Sequence, residues 1–321
     1  MRALQVTDPD GPDSVLLTDA SPPPDDAPLL IDVHAAGVGF ADLLMSRGEH
    51  QIRQEPPFTL GWEAAGVVVR APSGSHLQPG DEVVTLTLGA FAERIAAVPE
   101  ATFRLPAGLS LIEGAAFPMN YLTALAGLDR RGRLRAGETV LVHGAAGGVG
   151  TAAIQVGRGV GARVIALVSS EEKAEVARAA GADEVVVSAD GAWRQAVLDV
   201  APGGVDVILD PVGGDRMLDS LRCLASEGRL VVVGFAGGAI PQIPANRLLL
   251  KNVDVCGCSW SVLVGAPGGL PAAAARLAEM VDAGTVRPSV GATLAFEDGP
   301  LALRALDERR ALGKAVLTVR S

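Results

Sequence analysis

The stretch Val140-Leu141-Val142-His143-Gly144-Ala145-Ala146-Gly147-Gly148-Val149-Gly150-Thr151-Ala152-Ala153-Ile154 decides the fold. An apolar, β-branched run stops at a cluster of glycines, and a helix-forming segment follows at once. That order is strand, tight turn and helix N-terminus, the layout of a dinucleotide phosphate site. Glycines there let the backbone approach a pyrophosphate. Free N–H groups and the positive end of the helix dipole then hold its charge. The spacing reads Ala145-x-Gly147-x-x-Gly150, with Ala in place of the usual first Gly. A Gly-rich strand–helix turn also arises for packing alone, so the flanking chain has to decide.

Downstream, apolar strands are expected at 139–143, 163–168, 184–187, 205–210, 229–234 and 253–258, with helices between them near 149–158, 171–180, 191–200, 214–224 and 245–251. Such alternation predicts a doubly wound parallel sheet of order 3-2-1-4-5-6. Upstream the character differs. Short strand candidates at Leu29 to Ala36, Ala64 to Arg70, Glu82 to Thr87 and Phe91 to Ala97 are punctuated by Pro22-Pro23-Pro24 and Pro79-Gly80-Asp81, with a short helix at Phe40 to Arg47. Tyr121 to Leu128 reads as a helix. After Trp260 come a helix near 271–283, a strand near 290–295, a helix near 298–310 and a strand at Ala315 to Val319. That tail is too short for a third domain and is expected to return to the first. The division is therefore 1–119 with 262–321 as a β-rich domain, and 120–261 as a nucleotide domain.

The 321 residues suffice for two cores, and 49% hydrophobic composition with 39 glycines suits an α/β protein. A net charge of −10 argues against nucleic acid and anionic membranes as partners. Cys223, Cys256 and Cys258 form neither a C-x-x-C pair nor a disulfide framework, which fits a reducing cytoplasm. The start, Met1-Arg2-Ala3-Leu4-Gln5-Val6, lacks a signal-peptide core, and no apolar run is long enough to span a membrane.

The end of the second strand reports cofactor choice. An NAD site usually carries Asp or Glu about 20 residues beyond the glycine turn. Here the place reads Leu167-Val168-Ser169-Ser170-Glu171-Glu172-Lys173. Ser169 can hydrogen-bond a 2′-phosphate that a carboxylate would repel, and Lys173 supplies positive charge. NADPH is expected. Ser170 also reads as a helix N-cap with two favourable first-turn acids, and both readings hold at once.

The segments Gly61-Trp62-Glu63-Ala64-Ala65-Gly66-Val67-Val68, Asn120-Tyr121-Leu122-Thr123-Ala124, the glycine turn and Asp210-Pro211-Val212-Gly213-Gly214, in this order, resemble the quinone oxidoreductase (zeta-crystallin-like) branch of the medium-chain dehydrogenase/reductase superfamily. The similarity spans nearly the whole chain. It implies a GroES-like catalytic domain, a Rossmann domain, NADPH as reductant, and a homodimer joined through the Rossmann sheet edges. Zinc-dependent alcohol dehydrogenases of that superfamily carry a Cys near position 39 and a Gly-His-Glu where this chain has Gly61-Trp62-Glu63. Gly39 and Trp62 supply neither thiolate nor imidazole, so a catalytic zinc is not expected.

The resemblance also implies roles. Thr123 matches a threonine near the nicotinamide amide, and Asn120 precedes it on the same helix. Ala146, Gly147, Gly148, Val149 and Gly150 match the pyrophosphate turn. Ser169, Ser170 and Lys173 match the 2′-phosphate pocket, which Arg310 reaches from the C-terminal part. Gly234, Phe235, Ala236, Ser259 and Trp260 match the nicotinamide side, although Thr123, Phe235 and Trp260 also read as packing residues. Many relatives have Asn at the place of Gly39; Asp42 keeps its place, His50 replaces a tyrosine, and Ser188 replaces another in the cofactor pocket.

Without a metal to polarise an alcohol, quinones and conjugated enones are the better electrophiles. The expectation is a zinc-independent NADPH:quinone oxidoreductase acting on quinones or α,β-unsaturated carbonyls, with Asp42, His50, Asn120 and Thr123 as catalytic candidates. Two alternatives stay open: an enoyl-thioester reductase, which would want a basic patch such as Arg130, Arg131, Arg133 and Arg135, and a non-catalytic NADPH-binding sensor, favoured by the lost Asn at Gly39.

Overall fold

A computed structural model describes residues 1–189, 192–264 and 269–320. In chain order the strands are β1 (Arg2–Val6), β2 (Val15–Asp19), β3 (Leu30–Val38), β4 (Phe58–Thr59), β5 (Glu63–Arg70), β6 (Glu82–Leu86), β7 (Arg94–Ala96), β8 (Thr102–Arg104), β9 (Thr139–His143), β10 (Arg163–Val168), β11 (Glu184–Val187), β12 (Val205–Asp210), β13 (Leu224–Val232), β14 (Asp254–Gly257), β15 (Val290–Ala295) and β16 (Lys314–Thr318). They divide between two compact units, Met1–Met119 with Pro288–Ser321, and Asn120–Arg287.

The first unit holds a sheet of order β15-β16-β3-β5-β6-β8, with β7 also paired to β3, and a small sheet β2-β1-β4. The C-terminal return is covalently distant and structurally integral. Ala315 to Thr318 pair antiparallel with Val38 to Ala35, and Leu317 is buried with Leu4, Ile31, Leu60 and Phe91 in one core. The helix Phe40–Ser46 follows β3 directly. Its start is fixed by Asp42, whose carboxylate accepts the Gly39 N–H at 2.8 Å.

The second unit is a parallel sheet of order β11-β10-β9-β12-β13-β14, the doubly wound arrangement expected from the alternating pattern. Its strands are nearly continuous apolar runs because helices cover both faces. Val140, Leu141 and Val142 are fully buried, as are Ala152, Ala153, Ile154 and Val156 on the helix Gly148–Val160 that crosses behind them.

The chain returns to the first unit at Pro288, not at 262. The helix Gly269–Asp282 is the reason. Met280 lies so close to Gly159 that a Cβ there would meet its Cε, so this helix is packed into the nucleotide unit. Other differences are local. The helix expected at 191–200 is described over Trp193–Val200, since residues 190 and 191 lie outside the described part. The helix Pro118–Leu125 continues into a π-helical turn over Ala126–Arg131, a form that side-chain periodicity does not announce. Among the described residues no helix is long and apolar enough to cross a membrane.

Candidate functional site

The glycine turn closes at the end of β9, and its geometry shows what each glycine does. Gly144 is left-handed (φ 59°), which costs glycine nothing. The Gly147 N–H donates to the Gly144 carbonyl at 3.0 Å. A Cβ at Gly150 would lie 2.2 Å from that carbonyl oxygen and 2.6 Å from the Ala145 Cα, so helix and turn touch backbone to backbone. A Cβ at Gly148 would lie 2.5 Å from the Asn120 amide nitrogen. At Gly147, by contrast, the Gly144 oxygen at 3.4 Å is the single heavy atom a Cβ would meet within 4 Å. Gly148 and Gly150 are therefore set by packing. Gly147 leaves open the space a side chain would fill, immediately before a 13-residue helix.

The end of β10 stands beside this turn: the Ala145 N–H donates to the Leu167 carbonyl at 3.3 Å. Ser170 caps the helix Glu171–Ala179, accepting the Lys173 N–H. The Lys173 ammonium reaches back to the Ser169 hydroxyl at 3.1 Å. Glu171 is held by Arg178 at 2.6 Å. The segment is thus a capped helix, as expected, and it also places the Ser169 hydroxyl and the Lys173 ammonium in contact at the strand tip.

The loops after β12 and β13 run side by side beyond the sheet. Val233 donates to Asp210, Ala236 to Pro211 and Gly237 to Val212. Asp210 is fully buried and accepts the N–H groups of Val212 and Gly213 at 2.8 and 2.9 Å, which holds Val212 against Gly144. His143 is also fully buried. Its Nε2 meets the Ser220 hydroxyl at 3.0 Å, and its ring stands edge-on to Trp193. Burial pulls its pKa down to about 4, so the ring is neutral and structural.

The first unit contains a separate buried charge cluster. Glu63, at the start of β5, and Lys314, at the start of β16, form an ion pair with both side chains almost wholly buried. The second Glu63 oxygen accepts the Met119 N–H at 2.8 Å. Asp42 faces the same pair. Its Oδ2 accepts the Gly39 N–H, while its Oδ1 is buried without a hydrogen bond. Burial pushes the Asp42 carboxyl up to about 7.

The family model described as "Alcohol dehydrogenase GroES-like domain" matches residues 25–107, and the one described as "Zinc-binding dehydrogenase" matches residues 148–279. Quinone oxidoreductase-like protein 2 of Mus musculus is 39% identical over 295 residues, spanning 90% of this chain and 84% of its own. The chain belongs to the quinone oxidoreductase branch of the medium-chain dehydrogenase/reductase superfamily. Escherichia coli quinone oxidoreductase complexed with NADPH superposes with a TM-score of 0.91 at 26% identity, covering 99% of this chain and all of that one. A mycobacterial protein, Rv1454c, complexed with NADPH gives 0.92 at 31% identity, over 99% of this chain and 100% of its own.

In this quinone oxidoreductase relative, the second unit brings together Asn120, Ala146, Gly147, Gly148, Val149 and Gly150, with Ser169, Ser170 and Lys173 on the adjoining strand end. Thr123 lies half-buried on the same helix as Asn120. Ser188 follows β11, its N–H bonded to Val168. Phe235 is 37% exposed and covers Gly213, so it is not the core residue that its size suggested. Gly234 and Ala236 flank it. Ser259 and Trp260 stand just beyond β14, where a short helix Trp260–Val264 begins. His50 belongs to the first unit. Its Nδ1 accepts the Ile52 N–H at 3.1 Å, and its ring lies 5.4 Å from Trp62. Arg310, also in the first unit, is turned to Glu308 at 2.5 Å. At the place of the superfamily's zinc-binding histidine, Trp62 donates to the Met45 sulfur at 3.1 Å.

The sequence reading missed the Glu63–Lys314 pair and the locking role of Asp210. A signal was present in each case: one charged residue inside an otherwise apolar strand segment, Lys314-Ala315-Val316-Leu317 and Val207-Ile208-Leu209-Asp210.

Proposed function

We propose that this chain is an NADPH-dependent reductase that passes hydride to quinones or other α,β-unsaturated carbonyls without a catalytic metal. The observation that carries the reading is the pairing, in one unit, of the open space at the Gly147 Cβ position with the Ser169–Lys173 contact at the neighbouring strand end. The residues fit a phosphorylated dinucleotide: backbone N–H groups at the helix start for the pyrophosphate, a hydroxyl and an ammonium for the 2′-phosphate. NADPH, when bound, supplies the hydride.

The chain's own residues do the rest. Asn120 packs on Gly148 and keeps the turn in place. Thr123, three residues further along the same helix, is the residue assigned to the nicotinamide amide in this reading. Asp210 holds the Pro211–Gly213 loop over Gly144, and Phe235 shields that end from water. Gly39 and Trp62 support metal-free chemistry. Among the described residues no three His, Cys, Asp or Glu side chains gather to hold a metal ion. Within the basic run that the enoyl-thioester reading would use, Arg133 is neutralised by Asp254 and Arg131 is turned to the Gly257 carbonyl. Unpaired Cys223, Cys256 and Cys258 support action in a reducing compartment such as the cytoplasm.

Lys173→Ala is expected to weaken NADPH by about tenfold or more, the worth of one lost charge-assisted contact, and to leave NADH almost unchanged. Equal losses for both nucleotides in calorimetric titration would overturn the 2′-phosphate assignment.

Two copies pair along β14 in this reading. Among the described residues β14 ends its sheet with one side unpaired, and Ile240, Leu249 and Leu250 nearby in sequence are 70% exposed or more. Light scattering is expected to give twice the 32.7 kDa chain mass. A single-chain mass at micromolar concentration would contradict the pairing.

A further inference from the structure

His143 and Asp210 are the last residues of β9 and β12, which lie side by side in parallel. The register pairs Val142 with Leu209, and the next residues along the two strands are His143 and Asp210. Residues opposite one another in a parallel pair share a face of the sheet. Both side chains are fully buried, and each keeps one polar atom without a hydrogen bond: Nδ1 of His143 and Oδ2 of Asp210. Two orphaned atoms on neighbouring residues call for one explanation, because a buried polar group without a partner is costly. The hydrogen on the imidazole decides the matter. Burial holds the ring neutral against the pull of Asp210, and Arg216 adds to the effect. A neutral ring carries its proton on Nε2 or on Nδ1. On Nε2 it would donate to Ser220 and leave two bare acceptors, Nδ1 and a carboxylate oxygen, on neighbouring buried residues. On Nδ1 it answers the carboxylate, and the Ser220 hydroxyl donates to Nε2 across the 3.0 Å between them.

We propose that His143 is a positioning residue for the nucleotide turn: it carries its proton on Nδ1, directed at the Asp210 carboxylate, while Ser220 selects that tautomer from the other side of the ring. The link to the nucleotide rests on the reductase reading above; the tautomer does not. Asp210 is the part that acts. Its Oδ1 accepts the Val212 and Gly213 N–H groups at 2.8 and 2.9 Å. Val212 Cγ2 in turn lies 3.2 Å from where a Cβ on Gly144 would stand, so this loop borders the glycine turn. A carboxylate answered at one oxygen alone is free to turn about its bond, and turning breaks the two loop contacts. The Nδ1 proton holds it in one orientation. Ser220 has a second acceptor within reach, the Arg216 carbonyl at 3.1 Å, so its hydrogen is shared and the ring is tied to the helix Arg216–Cys223. Trp193 stands edge-on to the ring at 5.1 Å and packs it from the side. Thus a helix contact sets a proton, the proton sets a carboxylate, and the carboxylate sets the loop beside the turn.

The test begins with the wild-type full chain, labelled with nitrogen-15 and read by long-range proton–nitrogen correlation near neutral pH. The His143 signals are identified by their absence in either variant below. Wild type is expected to carry the proton on Nδ1. Two variants then separate the two ends of the ring. The amide nitrogen of Asn stands near the place of Nδ1, and that of Gln reaches toward the place of Nε2, while both remove the ring from Trp193. Melting temperature should therefore fall by a similar amount in each. Amide hydrogen exchange at Val212 and Gly213 is expected to stay near wild type in His143→Asn. In His143→Gln it should speed up by about tenfold or more, the factor that goes with one buried carboxylate oxygen left unanswered. Affinity should follow the exchange, and alike for NADPH and NADH, because the 2′-phosphate end is untouched. A proton on Nε2 overturns the assignment, as does equal exchange in the two variants. Unequal exchange with equal nucleotide affinity, in a chain that binds the nucleotide, overturns the positioning role. A wild type with the Nδ1 proton and the exchange difference that binds neither nucleotide upholds the brace and overturns the reductase reading instead.

Discussion

Gly150→Val is expected to abolish nucleotide binding, lowering affinity for NADPH and NADH alike by roughly 100-fold or more, since about 3 kcal/mol of lost fit corresponds to that factor. The reason is geometric. The first carbon of any side chain at 150 would sit 2.2 Å from the Gly144 carbonyl oxygen and 2.6 Å from the Ala145 Cα. Both are backbone atoms and neither can rotate out of the way. The helix must move off the turn, and the N–H groups at its start lose their aim. Overpacking of this sort also costs about 1–3 kcal/mol of stability. Binding should therefore be measured by fluorescence titration at a temperature where circular dichroism shows the variant folded. A folded Gly150→Val with wild-type affinity would remove the turn from the nucleotide site.

Lys314→Met is expected to destabilise the protein by about 3–5 kcal/mol, because it strands the Glu63 carboxylate in the core with one backbone N–H for company. In a chain of this size that corresponds to a fall in melting temperature on the order of 10 °C. Glu63→Gln combined with Lys314→Met should recover most of the loss. The amide still accepts the Met119 N–H and carries no charge, so the double-mutant cycle reads the ion pair directly. Strict additivity of the two changes would show that the pair is not coupled.

Asp42 gives the same cluster a pH dependence of defined sign. Its carboxyl sits at about 7 in the fold, above the ordinary 3.8. Below the ordinary value the acid is neutral both folded and unfolded, and the fold bears no penalty. As pH rises from about 4 to about 7 the unfolded chain gives up the proton while the fold keeps it, so this contribution to stability is lost across that window. Asp42→Asn is neutral throughout. The melting temperature of Asp42→Asn relative to wild type should rise over the same interval, and a flat difference would contradict the protonated state.

Much of this architecture could be read before any coordinates. Apolar strands alternating with helical segments specify a parallel sheet because each strand must be buried on both faces. The order β11-β10-β9-β12-β13-β14 follows from right-handed crossovers on either side of the glycine turn. Leu317 shows why the C-terminal strand had to return: its apolar face completes a core made by Leu4 and Phe91. Less legible was where the return begins. Helix Gly269–Asp282 has the amphipathic pattern of any surface helix, and the contact of Met280 with Gly159 is a tertiary fact without a local signature. The same holds for the charge cluster. Asp42, Glu63 and Lys314 lie far apart in sequence, and three strands' worth of pairing is needed before two carboxyls and one ammonium meet. Ser169 and Lys173 were readable because a helix cap and a phosphate contact both sit within one turn of chain.

The most direct test of the central claim is NADPH oxidation by 9,10-phenanthrenequinone, followed by absorbance in protein stripped of metal with a chelator. The account predicts turnover that survives stripping, gains nothing from added zinc, and disappears in Gly150→Val. Activity that vanishes on stripping and returns with zinc would contradict it.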